Sequence, residues 1–293
     1  MKKRGLFYIG ILLLGILFVG CVGKEEKEPM KTDVPSATVL PEPTGVPTEA
    51  PTPTVTKAPT PTKAPTATPT PAPNDIEGYV LDVKLTEDYA AVSSMFEIAD
   101  GWSNGSMFNC TWRKKNCVIS DGSMKLMIDN DTAGATIPYS GAEFRSRDFF
   151  GYGYYEVTMK PIKNDGVVSS FFTYTGPSDK NPWDEIDIEF LGKDTTVVQF
   201  NYFTGGRGNH EFIYELGFDA AEEFHTYGFD WRSDSITWYV DGVAVHTATK
   251  DIPKTKGKIM MNVWPGKGVD SWLKPFDGTV PLTAEYKEIR FQK

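Results

Sequence analysis

Three features of this sequence predict an all-β fold: two antiparallel sheets stacked as a sandwich, with a cleft on one concave sheet face. Residues 185–190 alternate strictly between acidic and apolar side chains, which is the two-residue period of a strand. Runs rich in β-branched and aromatic residues recur between turns built from Gly, Asp and Asn. Helix caps followed by a 3.6-residue period are nearly absent.

Residues 1–21 read as an export signal. Lys2, Lys3 and Arg4 precede an apolar run from Leu6 to Val19 that is too short for an ordinary spanning helix. Phe18-Val19-Gly20-Cys21 then resembles a bacterial lipoprotein cleavage box, so Cys21 is the expected lipid attachment site. The protein is expected on the extracellular face of the membrane, lipid-anchored, or secreted. Residues 22–75 form a Pro/Thr-rich linker that cannot bury a core, is expected to stay disordered, and could reach on the order of 100 Å when extended. Residues 76–293 are one domain's worth of chain and hold all 7 Trp.

Within that domain the strand signals run in order. Lys125 to Ile128 follows the turn Ser120-Asp121-Gly122, and Gly153 to Lys160 and Val167 to Thr175 come next. After the acidic run, Thr195 to Thr204 ends at Gly205-Gly206. Phe224 to Trp231 precedes Ser235 to Val240 and Val243 to Thr249, which flank the hairpin signal Asp241-Gly242. Lys258 to Val263 and Ala284 to Phe291 complete the set, and Asp219 to Phe224 is expected to make one short helical turn.

The segment Trp183-Asp184-Glu185-Ile186-Asp187-Ile188-Glu189-Phe190 carries the chemistry. Glu185, Asp187 and Glu189 share one strand face, while Ile186, Ile188 and Phe190 share the other, buried one. Three neighbouring carboxylates repel, so packing alone does not select them. At roughly 3.3 Å per residue the Cα atoms of Glu185 and Glu189 lie about 13 Å apart, and carboxyls leaning together close to about 5–7 Å. Retaining glycosidases need roughly 5–5.5 Å and inverting ones about 6.5–9.5 Å. Glycoside hydrolysis fits, with retention the better match. The charge of Asp187 is expected to raise the pKa of a neighbouring Glu.

A sugar cleft also needs flat apolar walls. Trp183 shares the face of Glu185, Phe172 and Tyr174 alternate on a neighbouring strand, Trp264 follows Asn262, and Trp102 and Asn104 lie in a loop. Other patterns lead nowhere. Gly101-Trp102-Ser103-Asn104-Gly105 fits a nucleophile elbow without its strand–turn–helix context, and the glycine-rich runs at 205–208 and 265–268 precede no helix suited to phosphate. His210, His225 and His246 are scattered, so no metal site is expected. A formal net charge of −9 without a basic patch argues against nucleic acid. Cys110 and Cys117 are the two cysteines of an exported domain, and a disulfide between them is possible.

Taken together, residues 77–293 resemble a bacterial lichenase, an endo-β-1,3-1,4-glucanase of glycoside hydrolase family 16. The resemblance rests on Phe108-Asn109-Cys110-Thr111-Trp112, Ala142-Glu143-Phe144-Arg145-Ser146, Val168 to Pro177, Trp183 to Gly192, Trp238 to Gly242 and Met260-Met261-Asn262-Val263-Trp264. It implies a β-jelly roll and a double-displacement mechanism. Glu185 would be the nucleophile, Glu189 the acid/base, and Asp187 the residue that tunes them. Asn104, Glu143, Arg145, Tyr174, Trp183, Asn262 and Trp264 would contact substrate, mixed-linkage β-glucan, and Phe172 is added from its strand position. No cofactor is required, and a monomer is expected. The uninterrupted E-I-D-I-E favours the lichenase branch or the xyloglucan transglycosylases over laminarinases. Three departures stand out. The usual partner of Cys110 is Gly141, a calcium-binding Asp is replaced by Lys287, and a cleft Tyr is Phe203. Structural calcium is therefore doubtful. The rivals are a laminarinase, a transglycosylase, or a glucan-binding lectin without catalysis.

Overall fold

The computed structural model describes residues 79–85 and 89–293. The expected export signal, Cys21 and the Pro/Thr-rich segment lie outside them. The strands run β1 (Tyr79–Lys84), β2 (Phe96–Ile98), β3 (Thr111–Trp112), β4 (Cys117–Ser120), β5 (Ser123–Asn130), β6 (Tyr139–Ser146), β7 (Gly153–Lys160) and β8 (Val167–Thr175). They continue with β9 (Asp184–Leu191), β10 (Val197–Phe203), β11 (Phe212–Glu215), β12 (His225–Trp231), β13 (Ile236–Val240), β14 (Val243–Ala248), β15 (Lys258–Pro265) and β16 (Leu282–Gln292). Two single-turn helices, α1 (Tyr89–Val92) and α2 (Asp270–Leu273), interrupt them.

One sheet is ordered β11-β10-β9-β8-β15-β6, with β2 on its edge. The other runs β5-β16-β7-β12-β13-β14, with β4 on β5 and β1 on β16. A short β5–β6 pairing joins the two, and all pairs are antiparallel except the two-residue β3–β6 contact. The sheets face each other across a single cluster. Ile186, Ile188 and Phe190 of β9, Phe171 of β8 and Met261 of β15 meet Tyr155 and Val157 of β7, Phe229 and Trp231 of β12 and Trp238 of β13. This is the antiparallel sandwich that the strand patterns imply and the jelly roll that the resemblance implies. Two hydrogen bonds cross the core and pin the first sheet from below. Trp238 Nε1 donates to the Asp187 carbonyl at 3.2 Å, and the Tyr286 hydroxyl donates to the Ser170 carbonyl at 3.1 Å.

The longer strands fall where their periodicity places them. The strands with weak signals, β2, β3, β4 and β11, are short, and all but β3 sit at sheet edges. β6 is long, but its Tyr-Ser-Gly-Ala-Glu-Phe-Arg-Ser run carries polar residues on its outer face and a glycine within, so it lacks a clear strand signal. Asp219 to Phe224 is a turn rather than a helix. Asp219 Oδ1 accepts the Ala221 N–H at 3.0 Å, and this local bond competes with helical pairing. The disulfide does not form either. Cys110 and Cys117 are buried free thiols in separate clusters, Cys110 with Trp112 and Trp264, and Cys117 in the core between the sheets. Burial pushes the Cys117 thiol up to about 12 and raises that of Cys110 further, so neither is reactive at neutral pH. At Gly141 a Cβ would stand 2.7 Å from the Cys110 Sγ.

Thermal unfolding of the purified domain is therefore expected to have the same midpoint with and without dithiothreitol. A drop on reduction would establish a bridge.

Candidate active site

The site is built on the outer face of the first sheet, and strand register decides which side chains meet there. On β9 the inward Ile186, Ile188 and Phe190 are fully buried, which forces Glu185, Asp187 and Glu189 outward. Tyr174, Phe172 and Ser170 of β8 lie directly opposite these acids, in that order. Beyond β8, Lys258, Met260 and Asn262 of β15 continue the rows, and Arg145 and Glu143 of β6 end them. On the other side of β9, Phe203, Asn201 and Gln199 of β10 stand opposite Glu185, Asp187 and Glu189. Val168 and Trp264 fall on the same face, where they join Leu191, Trp112, Cys110 and Leu273 in an apolar cluster that closes one end.

The three acids are held by donors. Trp183 Nε1 donates to Glu185 Oε2 at 2.5 Å. The Trp183 ring stacks on Phe203 with centroids 4.7 Å apart and planes 14° from parallel. Behind it, Asp184 accepts three backbone N–H groups, from Gly205, Lys254 and Thr255, at 2.8–2.9 Å. Although burial pushes the Asp184 carboxyl up, these donors hold it below the ordinary range, so it is a fixed anion tying two loops to the start of β9. Gln199 Nε2 donates to Glu189 Oε2 at 2.8 Å, and Trp272 Nε1 donates to Gln199 Oε1 at 3.1 Å.

Burial raises all three acids. Glu185 is pushed up to about 8, against the donation from Trp183 and with the charge of Glu189. Glu189 is pushed up to about 7, against the donation from Gln199 and with the charge of Glu211. Asp187, 4% exposed, is raised most, by burial and then by the charges of Glu185 and Glu189. The trio therefore shares protons as one unit. Its members are distinguished by hydrogen bonding. Asp187 donates to Glu185, a bond that lowers Glu185 and raises Asp187. Glu185 accepts from two donors, which favour its charged form against the burial that raises it. Asp187, raised by burial and by the charges on either side, thus lowers Glu185 through their shared bond.

The far side of the cleft has its own network. Trp112 Nε1 donates to Asn104 Oδ1 at 2.9 Å, and Asn104 Nδ2 donates to Glu143 Oε2 at 2.9 Å. Ser170 Oγ donates to Asn262 Oδ1 at 2.7 Å. Arg145 Nε bonds Glu97 Oε1 at 2.8 Å, and its guanidinium carbon lies 5.1 Å from the Trp102 ring centre. Polar groups in a row beside exposed aromatic rings match the hydroxyls and C–H faces of a sugar chain.

The sequence profile of the glycosyl hydrolases family 16 matches residues 104–286. The chain belongs to glycosyl hydrolase family 16. It is 59% identical over 202 residues to the β-glucanase of Bacillus subtilis (strain 168), a match covering 69% of this chain and 82% of that protein. It is 60% identical over 203 residues to a xylanase/β-glucanase of Ruminococcus flavefaciens, covering 68% of this chain but only 25% of that longer protein. Among solved structures, a prokaryotic β-1,3-1,4-glucanase (lichenase) from a mouse hindgut metagenome superposes with a TM-score of 0.70 at 54% identity, covering 72% of this chain and 98% of that one.

In this family 16 domain the structure brings nearly all the sequence-selected residues to one face: Glu185, Asp187, Glu189, Glu143, Arg145, Phe172, Tyr174, Asn262 and Trp264 by register, with Asn104 and Trp183 bonded to members of that face. Two of them are covered. Phe172 is 7% exposed and forms floor, and Trp264, 3% exposed, lies under Phe108 with ring centres 4.2 Å apart. Trp183, at 39%, is open to a ligand. Sequence reading missed Ser170, Gln199, Asn201, Glu97 and Trp272. Gln199 and Asn201 left a signal, two amides on alternate positions of an otherwise apolar strand, whereas Trp272 reaches the site only through the path of the chain after β15.

Because burial raises the whole trio, and Asp187 most, the folded protein keeps a proton that the unfolded chain releases as pH rises out of the ordinary carboxylate range. Stability contributed by that proton is present below the unfolded value and lost as pH rises towards the raised one. Asp187→Asn cannot lose it. Relative to the parent, that variant is expected to gain about 1 kcal/mol, roughly 2–4 °C in Tm, between pH 5 and pH 8. Parallel Tm-against-pH curves would contradict the assignment.

Proposed function

We propose that this chain is a retaining endo-β-1,3-1,4-glucanase, cutting β-1,4 bonds next to β-1,3 bonds in mixed-linkage β-glucan. The reading is carried by one observation: two glutamates four positions apart on the same strand face, both raised by burial, one accepting hydrogen bonds from Trp183 and Asp187 and the other from Gln199. The likeness to a solved β-1,3-1,4-glucanase over 98% of its length supports the choice of glucan.

In the first step Glu185 attacks the anomeric carbon and displaces the leaving sugar oxygen, to which Glu189 gives its proton. Asp187 and Trp183 hold Glu185 charged and aimed until the glycosyl ester forms. In the second step Glu189, now ionised, takes a proton from water as its oxygen attacks the same carbon. Glu185 leaves, and the configuration is retained. Trp183, Tyr174, Asn104, Glu143, Arg145 and Asn262 bind the glycan alongside. No step runs through a metal. Where the family resemblance would place a calcium-binding Asp, Lys287 sets its ammonium 3.9 Å from the centre of the Phe224 ring, which does not fit a second cation. The same proposal has residues 1–21 exporting the chain, Cys21 carrying lipid, and residues 22–75 spacing the enzyme from the membrane; labelling with a radioactive fatty acid that is lost in Cys21→Ala tests the anchor.

Early-time proton NMR of barley β-glucan digests is expected to show β-configured reducing ends, and α-products would exclude retention. Glu185→Gln is expected to lose on the order of 10⁴ or more in kcat while still binding oligosaccharide. Normal turnover by that variant would remove Glu185 from the mechanism, and binding without sugar release by the parent chain would favour a lectin.

A further inference from the structure

Gln199 is 5% exposed and stands directly opposite Glu189 on β10. An amide can present either end to a neighbour, and Trp272 decides which. An indole N–H only donates, so the atom it meets at 3.1 Å must be the amide oxygen. The Gln199 NH₂ group is thereby turned to Glu189 Oε2, at 2.8 Å. An oxygen that accepts this bond is not the one that carries a proton, so the proton of Glu189 is confined to Oε1.

Trp272 is itself fixed. Its backbone N–H donates to the Val269 carbonyl at 2.9 Å, and its backbone carbonyl accepts Lys193 Nζ, from the turn just after β9. Next to it, Leu273 is buried in the apolar cluster with Val168, Leu191 and Trp264. Gly266 admits that leucine, since a Cβ there would stand 2.6 Å from Leu273 Cδ1. The single turn of α2 thus serves to hold one indole.

We propose that Gln199 is a positioning residue for the acid/base: held by Trp272, it keeps the transferable proton on a single oxygen of Glu189 and that oxygen turned to the leaving group. This rests on the glycosidase reading above and adds a defined role for two residues outside the acidic strand. The charged groups around Glu189 are Glu185 and Asp187 on its own strand and Glu211 ahead of β11. β8 presents the hydroxyl of Ser170, already bonded to Asn262, β10 the amide of Gln199, and α2 the uncharged indole.

The test compares two substrates that differ in their need for an acid: barley β-glucan, whose leaving alkoxide must be protonated, and the 2,4-dinitrophenyl β-glycoside of a mixed-linkage trisaccharide, whose phenolate leaves unaided. For Gln199→Leu, kcat on β-glucan is expected to fall about 10- to 100-fold, while kcat/KM on the dinitrophenyl glycoside stays within about twofold. Loss of a donor to the charged carboxylate also moves the alkaline limb of the kcat/KM profile on β-glucan to higher pH. Trp272→Phe, which removes only the N–H, is expected to show the same pattern at smaller amplitude and serves if the leucine variant does not fold. Equal losses on both substrates, or an unmoved alkaline limb in both variants, would overturn the proposal. Failure of the parent chain on β-glucan would instead refute the glucan assignment; the same ratio is then read on whichever polymer it cleaves.

Discussion

The constraint on which this site depends is the placing of three carboxyl groups on one face of a strand whose other face is locked in the core. Ile186, Ile188 and Phe190 fix β9 in rotation, and bonds from Trp238 and Tyr286 fix the sheet from beneath, so the acids cannot turn away from one another. In a partly buried recess they cannot all be charged. Repulsion that would be a defect on an ordinary surface becomes the source of their division of labour, with Asp187 retaining a proton and the two glutamates left to differ by their donors.

The same device recurs on both sides of the acids. An indole N–H orients an amide, and the amide orients a carboxyl: Trp112 to Asn104 to Glu143 on one side, Trp272 to Gln199 to Glu189 on the other. Trp183 does it in one step at Glu185. Since an indole can only donate, each tryptophan removes the ambiguity of the amide or acid it meets and leaves one defined surface towards the cleft. Trp112 does this from full burial and Trp272 from partial burial, while Trp102 and Trp183 are exposed.

Much of this was legible in the sequence where a two-residue period was clean. β7 and β8 occupy the spans their alternation marks, and the face shared by Glu185, Asp187 and Glu189 follows from strand geometry alone. Residues 141–146 were found by resemblance, not by pattern, because β6 alternates weakly around Gly141. The sense of the Asp187 interaction was not legible: proximity predicts repulsion, whereas burial makes Asp187 a donor. Nor could sequence bring Trp272 to Gln199, 73 positions away, since no local period records a contact made by a single-turn helix folding back over the sheet. The pairing of Cys110 was open for the same reason, and the separate packing of Cys110 and Cys117 settles it as two thiols.

Trapping the intermediate with a 2-deoxy-2-fluoro glycoside of a mixed-linkage oligosaccharide bearing a dinitrophenolate leaving group, followed by peptide mass spectrometry, tests most directly that these acids divide their roles as described. A glycosyl adduct on Glu185 and on no other acid of β9 is the predicted result. An adduct on Asp187 or Glu189, or turnover of the natural polymer without any trappable ester, would contradict it.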